Sequence, residues 1–551
     1  MLIVDGYNDE PGGLGVPPYL DVYPRLIAGS LWLARRDARV DYVTVDQFRS
    51  TPVWVRRASS YDIVVFIAGV VVPGKYIGGR PAEPRELIEW AGAIEGPLLV
   101  LAGPAARWGM GLEGGGPAYP PWMFEKAGFH VLVRGDVEEY FYELARHGVE
   151  KADPRRIRRN YSLYDKAALL GARIARQHPR LGRGLIAEIE TYRGCARWIS
   201  GGCSFCVEPL RGRPIQRDPQ GIVAEVEALY SSGVRAFRLG RQADILVYGS
   251  PQLGDEEWPK PDPGALRSLL RGIRSVAPAL RVLHIDNVNP GTIARHPGES
   301  KEALKTIIEY HTEGDVAAMG LETADEKVAR VNNLNTTPEE ALQAIRLVNV
   351  LGARRGPQGL PHLLPGLNFI LGLPGETSHT YHANREFLEQ VMSEGLLVRR
   401  VNIRRLLALP ATRVSRMKHG VRGRLEKHAR SFAHWVRHVF EKRMLARIAP
   451  RGTLLRDLWV EECRSGVCYA RQTGSYPLTV ALHCRGPYRG MYLPAVAVTG
   501  VHSPRSLRGI PLPLHPSSHR SILTEAERLR PVSSIDTVSP MGTLCAPAYV
   551  R

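Results

Sequence analysis

The chain has 551 residues, 44% of them hydrophobic and 23% charged, with a formal net charge of +18. That length exceeds what one hydrophobic core organises, so several domains are expected, and the charge points to a polyanionic partner such as nucleic acid. No apolar run reaches the roughly 18–20 residues of a membrane span, no signal-peptide pattern opens the chain, and its cysteines are too sparse for a disulfide framework, so the sequence reads as a cytoplasmic protein with no membrane partner.

Residues 1–150 alternate apolar strands ("MLIVD", "VDYVTVD", "DIVVFIAG", "PLLVLAG", "FHVLVRGD") with helical stretches, which predicts an α/β fold with a doubly wound, Rossmann-like parallel sheet. Two Gly/Pro-rich loops, "GYNDEPGGLGVPPY" and "GVVVPGKYIGGRPAEP", leave strand ends, where such sheets bind ligands or pack on the next domain. Neither holds the GxGxxG of a dinucleotide site. Residues 151–183 read as a basic helical connector. Between 184 and 412 six further strands recur: "LIAEIET", "AFRLGR", "LRVLHIDN", "AAMGLET", "LNFILGL" and "RRVNIRRL". Most precede a helical pattern, which predicts a partial (β/α)6 barrel of the TIM type with its site at the C-terminal strand ends. Residues 413–451 form a basic helical segment with twelve Lys or Arg against two Glu. It interleaves Phe432, Trp435 and Phe440, a pattern suited to phosphate contacts and stacking on unpaired bases. Residues 452–551 read as a small β module and a Pro/Ser-rich tail.

The stretch "TYRGCARWISGGCSFCVEPL" follows the first barrel strand and spaces Cys195, Cys203 and Cys206 as C-x7-C-x2-C. Thiolates suit zinc or iron–sulfur centres. A structural zinc needs a fourth protein ligand, and the next cysteine along the chain is Cys463. A four-iron cluster can instead use three cysteines and leave one iron open. Cys463 and Cys468, spaced by four residues on what read as adjacent strands, are either a second metal or redox site or ordinary thiols near a hairpin. His284, Asp286, Asn287 and Asn289 read as barrel-mouth side chains, serving a substrate or loop packing.

Residues 184–413 resemble the radical S-adenosylmethionine (SAM) superfamily, in its methylthiotransferase-like and Elongator-like barrel subgroup. The residues that carry the resemblance are the cysteine loop with Phe205 before its last cysteine, "GLETAD", "GLNFILGLPGET" and "RRVNIRRLLALPATR". The resemblance implies that Cys195, Cys203 and Cys206 bind three irons of a 4Fe-4S cluster. The fourth iron would chelate SAM, and one electron would cleave it to a 5′-deoxyadenosyl radical. Glu322 would contact the ribose or amino-acid portion of SAM. Backbone at Ile370, Gly372 and Leu373, and the peptide beside Phe205, would flank the adenine. Gln242 or Asp244, in "LGRQAD" where the family has Gly-Gly-Glu, would hold the amino group. The family's usual first spacing is C-x3-C, so the loop here is longer.

The N-terminal domain resembles the cobalamin-binding-like domain that precedes many such barrels. It has no His before His130 and no Cys before Cys195, so a His ligand to cobalt and a second cluster for sulfur insertion are both absent. Cobalamin bound without a His ligand stays open. The stretches "DGYNDEPGGLGVPPYLDVYPR", "VPGKYIGG", "HIDNVNPGTIA" and "YARQTGSYP" are similar to archaeal radical SAM proteins that include the radical subunit of archaeosine synthesis. Residues 502–531 resemble a helix-hairpin-helix tail of one archaeal group, without its Gly-rich hairpin. These likenesses imply a tRNA whose deazaguanine bears a lysine adduct, cleavage of a C–N bond to leave a formamidine, a partner enzyme that attaches the lysine, and an electron donor. The alternative is a radical SAM enzyme acting on a small molecule or lipid, including cobalamin-dependent methyl transfer.

Overall fold

A computed structural model describes residues 1–8, 19–70, 79–111, 115–483 and 488–512. Most of the two Gly/Pro-rich loops, Cys484, Cys545 and most of the tail fall outside the described residues. The N-terminal strands are β1 (Leu2–Asp5), β2 (Tyr19–Leu20), β3 (Asp41–Thr44), β4 (Ile63–Ile67), β5 (Leu98–Ala102), β6 (Gly116–Pro117) and β7 (Val131–Leu132). Five of them form a parallel sheet in the order β3-β1-β4-β5-β7. Its central strands are apolar runs because helices cover both faces. The expected second strand stops at Thr44, whose hydroxyl and Gln47 form a capping box that starts the helix Val45–Ser50.

Six parallel strands make the next unit: β8 (Ile186–Ile189), then, after the short pair β9 (Tyr192–Arg193) and β10 (Ile215–Gln216), β11 (Ala236–Leu239), β12 (Val282–Ile285), β13 (Asp315–Glu322), β14 (Leu363–Leu371) and β15 (Arg400–Arg405), followed at once by β16 (Leu407–Ala408). They lie in two sheets, β12-β11-β8-β2 and β13-β14-β15, joined by a parallel bridge between Asn287 and Ala318. The N-terminal domain reaches both edges of this partial barrel. Tyr19–Leu20 adds a parallel strand to β8, and Gly116–Pro117 pairs with Leu407–Ala408. The sheet therefore runs across the boundary that strand alternation suggests near residue 150.

Buried ion pairs seal the same junction. Arg158 bonds Glu138 at 2.9 Å and Glu190 at 2.6 Å, and Arg193 pairs with Asp136. Burial pushes the Asp136 carboxyl up, but Arg158 and Arg193 together hold it down at about 2. His178 lies under the junction, 4% exposed, with Nδ1 accepting from Arg180 N at 3.1 Å. Burial and the Arg180 charge push its pKa down to about 3. His178 thus holds one proton fewer in the folded than in the unfolded chain between pH ~3 and ~6.5, so its own contribution to stability is lost as pH falls below ~6.5, by roughly 1.4 kcal/mol per unit, while buried carboxyls with raised pKa, Glu188 and Asp315 among them, act in the opposite sense. The melting temperature of His178→Gln relative to wild type should therefore rise as pH is lowered from 7 to 5.

The basic segment is one continuous helix from Arg424 to Ile448 with a π-helical stretch at Val436–Phe440. All twelve Lys and Arg of residues 413–451 are exposed. The aromatics are not: Phe432 and Phe440 are buried, Trp435 packs against the core, and the Phe432 ring meets Phe369 at 5.5 Å. Helical periodicity turns 429, 432, 436 and 440 to one face, so these rings are core residues rather than stacking platforms for bases.

The chain then closes a five-stranded antiparallel-rich barrel: β17 (Leu454–Arg464), β18 (Val467–Gln472), β19 (Thr479–His483), β20 (Tyr492–Ser503) and β21 (Ser506–Pro511). Cys463 and Cys468 face each other across the β17–β18 hairpin and form a disulfide, so they are neither a metal pair nor two free thiols. The β18–β19 loop touches both β12 and the start of β15, with β13 and β14 between them, and so lies across the partial barrel. Ser475 N donates to His284 Nδ1 at 3.2 Å, Tyr476 Oη donates to Asp286 at 2.9 Å, and Arg399 donates to the Tyr476 carbonyl. His284 and Asp286 are buried against this plug and against Arg238, which corrects their reading as mouth residues.

Candidate active site

Pairing of β9 with β10 pinches the base of a loop, residues 194–214, that carries all three clustered cysteines. Two 3-10 turns, Ala196–Ser200 and Glu208–Arg211, shape it. It is clamped from outside. Ser204 N and Oγ donate to Asn332 at 2.9 and 2.7 Å, and Asn332 Nδ2 in turn donates to the Pro374 carbonyl at 2.9 Å. Asn333 Nδ2 donates to the Gly202 carbonyl at 2.9 Å, and Val414 N to the Ser204 carbonyl at 2.9 Å. Asn332 and Asn333 went unnoticed in the sequence. Their signal is weak: an Asn-Asn pair ending a helix, with Asn333 at φ 49°.

The three cysteines are free and line one cavity of about 200 Å³. Burial pushes the Cys195 thiol up to about 12 and raises Cys203 and Cys206 as well. Thiols so placed are costly to ionise without a cation among them, and a bound iron centre supplies one. The donor set fits a three-thiolate cluster.

The other walls come from the C-terminal ends of the barrel strands: Gln242 and Asp244 after β11, Asn287 and Asn289 after β12, Glu322 at the end of β13 and Asn368 in β14. Glu322 adopts φ 64° beside a register shift at Gly320, an uncommon backbone for a residue with a side chain. Burial raises its carboxyl to about 8, with Arg404 opposing the shift. Gln242 is anchored: Nε2 donates to the Leu239 carbonyl at 2.7 Å and Oε1 accepts from Thr191 at 3.1 Å. Asp244 accepts from Thr292 at 2.8 Å, and burial raises it to about 6. Asn289 caps the helix Pro290–Arg295.

Phe205, Ile370 and Leu373 meet in a small apolar cluster with Val328, Leu406 and Val414, and Phe205 also lines the cavity. Gly372 is already spoken for within the protein. Its N–H donates to Glu376 at 2.8 Å and its carbonyl accepts from Gly420 at 2.8 Å. Ile370, Gly372 and Leu373 are not among the cavity-lining residues, so the expected adenine-flanking set is brought together only in part.

The radical SAM superfamily profile matches residues 189–388. The chain is 42% identical to the uncharacterized protein MJ0274 of Methanocaldococcus jannaschii over 87% of this chain and 88% of that protein. It is 42% identical to an uncharacterized protein of Archaeoglobus fulgidus over 91% of this chain and 88% of that one. Over 36% of the chain it is 26% identical to the tRNA-2-methylthio-N(6)-dimethylallyladenosine synthase of Mycolicibacterium smegmatis, covering 37% of that enzyme. Among solved structures, the radical SAM methyltransferase TsrM of Kitasatospora setae, with cobalamin and a [4Fe-4S] cluster bound, gives a TM-score of 0.47 at 18% identity over 75% of this chain and 76% of that one. The superfamily profile and the two archaeal relatives settle the family: the chain carries a radical SAM superfamily domain and belongs to one family with those two proteins.

Proposed function

We propose that this radical SAM enzyme modifies a base in tRNA. The observation that carries its chemistry is the shared cavity of Cys195, Cys203, Cys206 and Glu322 at the C-terminal ends of the barrel strands. Radical SAM proteins use a 4Fe-4S cluster with S-adenosylmethionine, which on one-electron reduction supplies a 5′-deoxyadenosyl radical. In this chain Cys195, Cys203 and Cys206 would hold the cluster. Glu322 offers a carboxyl whose ionisation a cationic ligand favours, matching the ammonium and sulfonium of SAM. Phe205, which lines the cavity and is backed by Ile370 and Leu373, supplies an apolar wall for the adenine. The N-terminal domain, paired to both barrel edges, keeps bulk water from a reactive centre.

The tRNA part rests on charge. Twelve exposed Lys and Arg lie between residues 413 and 451. Both acids of that segment are engaged, Glu426 by Arg405 and Arg430 and Glu441 by Arg505. The partial likeness to a tRNA-modifying synthase supports the same reading. The specific candidate is archaeosine formation: hydrogen abstraction from the lysine portion of a deazaguanine adduct and C–N cleavage to the formamidine. It calls for a partner enzyme that attaches the lysine and for an electron donor. The test is binding of tRNA to the full chain over a range of salt. Charge reversal of Arg437, Lys442 and Arg443 to Glu should weaken binding and flatten the log–log salt slope by about 2–3, one phosphate contact contributing about 0.9. Unchanged affinity and slope would shift the assignment to a small-molecule substrate.

A further inference from the structure

The lengthened C-x7-C spacing places a cation against a cluster ligand. We infer that Arg197 raises the reduction potential of the cluster held by Cys195, Cys203 and Cys206, acting as a positioning residue through the Cys203 sulfur. The inference rests on the assignment of those three cysteines as cluster ligands.

The inserted residues form the 3-10 turn Ala196–Ser200, and Gly201 and Gly202, at φ 77° and 62°, bring the chain back to Cys203. The turn sorts its side chains sharply. Trp198 and Ile199 are 37% and 50% exposed, whereas Arg197 is 3% exposed and lines the cavity. Its guanidinium is fixed on three sides. Nε donates to Glu257 at 2.8 Å, Nη1 to the Asn333 carbonyl at 2.8 Å, and Nη2 to Asn333 Oδ1 at 3.1 Å. Nη1 also donates to Cys203 Sγ at 3.5 Å, within the range of an N–H···S hydrogen bond.

Two effects then act in the same direction. Three thiolates around an iron–sulfur core leave the assembly negative, and one added electron makes it more negative, so a nearby cation favours the reduced form. A hydrogen bond to a ligating sulfur draws charge from the metal and favours it too. Arg197 stays charged at any accessible pH, so both effects are permanent. Glu257 offsets part of the charge, but it sits at the Nε end of the guanidinium, while Nη1 faces the sulfur.

The experiment is a redox titration of the reconstituted full-length protein, followed by electron paramagnetic resonance. Each cluster takes one electron from the external reductant, and no bond forms or breaks at Arg197. Arg197→Gln removes the charge and shortens the donor. Arg197→Lys keeps the charge, but a single ammonium cannot span Glu257, Asn333 and Cys203. At the wild-type midpoint, Arg197→Gln should show a reduced-to-oxidised ratio about tenfold lower, which is about 59 mV for a one-electron couple. Arg197→Lys should fall between the two. A purely structural role would lower iron content or melting temperature and leave the midpoint in place; that result in a loaded variant overturns the inference. If Arg197→Gln fails to load, Arg197→Lys decides it: a lower midpoint supports the inference, an equal one overturns it. A wild-type protein with no cluster signal would instead overturn the ligand assignment, and the inference with it.

Discussion

Replacing Cys203 by alanine is expected to abolish 5′-deoxyadenosine formation by the reconstituted, dithionite-reduced protein, a fall of at least about a hundredfold, equivalent to about 2.7 kcal/mol of barrier. The loss should be chemical, not conformational. The loop around Cys203 is held by bonds that the substitution spares: Ser204 to Asn332, Asn333 to Gly202 and Val414 to Ser204. Two thiolates cannot hold three irons, so iron content should drop while the apoprotein melts within a few degrees of wild type. The double variant Cys463→Ser, Cys468→Ser is the contrast. That pair is bonded across the β17–β18 hairpin and does not line the cavity, so SAM cleavage should survive its loss. Mass spectrometry of the nucleoside together with iron analysis reads both. Activity retained in the first variant and lost in the second would place the reactive centre elsewhere.

Most of the barrel strands were legible because they are apolar runs bounded by turn residues, and such runs depend on neighbours in the sequence; β15, Arg-Val-Asn-Ile-Arg-Arg, is the exception. The three cysteines were legible because their spacing is local. What stayed hidden is pairing at long range. Tyr19–Leu20 and Gly116–Pro117 are strands of two residues, too short for any period, and they exist only because β8 and Leu407–Ala408 lie beside them. His284 and Asp286 stand at a strand end, as mouth residues do. Only the fold shows that the β18–β19 loop covers them. Phe432 and Phe440 alternate with basic residues in sequence, yet the helical period carries them to the core and leaves the charges in solvent. The inward turn of Arg197 is likewise invisible one residue from an exposed Trp198.

The N-terminal domain is bound to the barrel through two helices that touch backbone to backbone, and this leaves no room for a side chain at Gly29 or Gly171. Helix Val22–Ala34 crosses helix Ser162–Gly171 so closely that a Cβ on Gly29 would lie 1.8 Å from the Ala167 carbonyl oxygen. A Cβ on Gly171 would lie 1.8 Å from the Arg25 carbonyl oxygen. Backbone atoms cannot yield as a flexible side chain can, so Gly29→Val must push the helices apart. The displacement also pulls on Arg25, which is fully buried and reaches across the junction to Glu225 and to the Glu188 carbonyl. Overpacking alone costs about 1–3 kcal/mol, and a broken buried pair adds a similar or larger amount. Gly29→Val should therefore lose at least about 3 kcal/mol and melt at least about 3 °C lower, since an unfolding entropy of about 2.1 cal/mol/K per residue makes 1 kcal/mol worth roughly 1 °C in a chain of 551 residues. Gly92→Ala is the matched control: it lies in the helix Pro84–Ala93 with nothing within 4 Å of an added Cβ, so it should be neutral or gain up to about 1 kcal/mol. Because β2 leads into helix Val22–Ala34 and completes the β8 edge, Gly29→Val should also expose the cavity. Proteolysis near residue 160 should speed up, and SAM cleavage should become uncoupled from product formation. A Gly29→Val protein that melts with the wild type would mean that the two helices are not in contact.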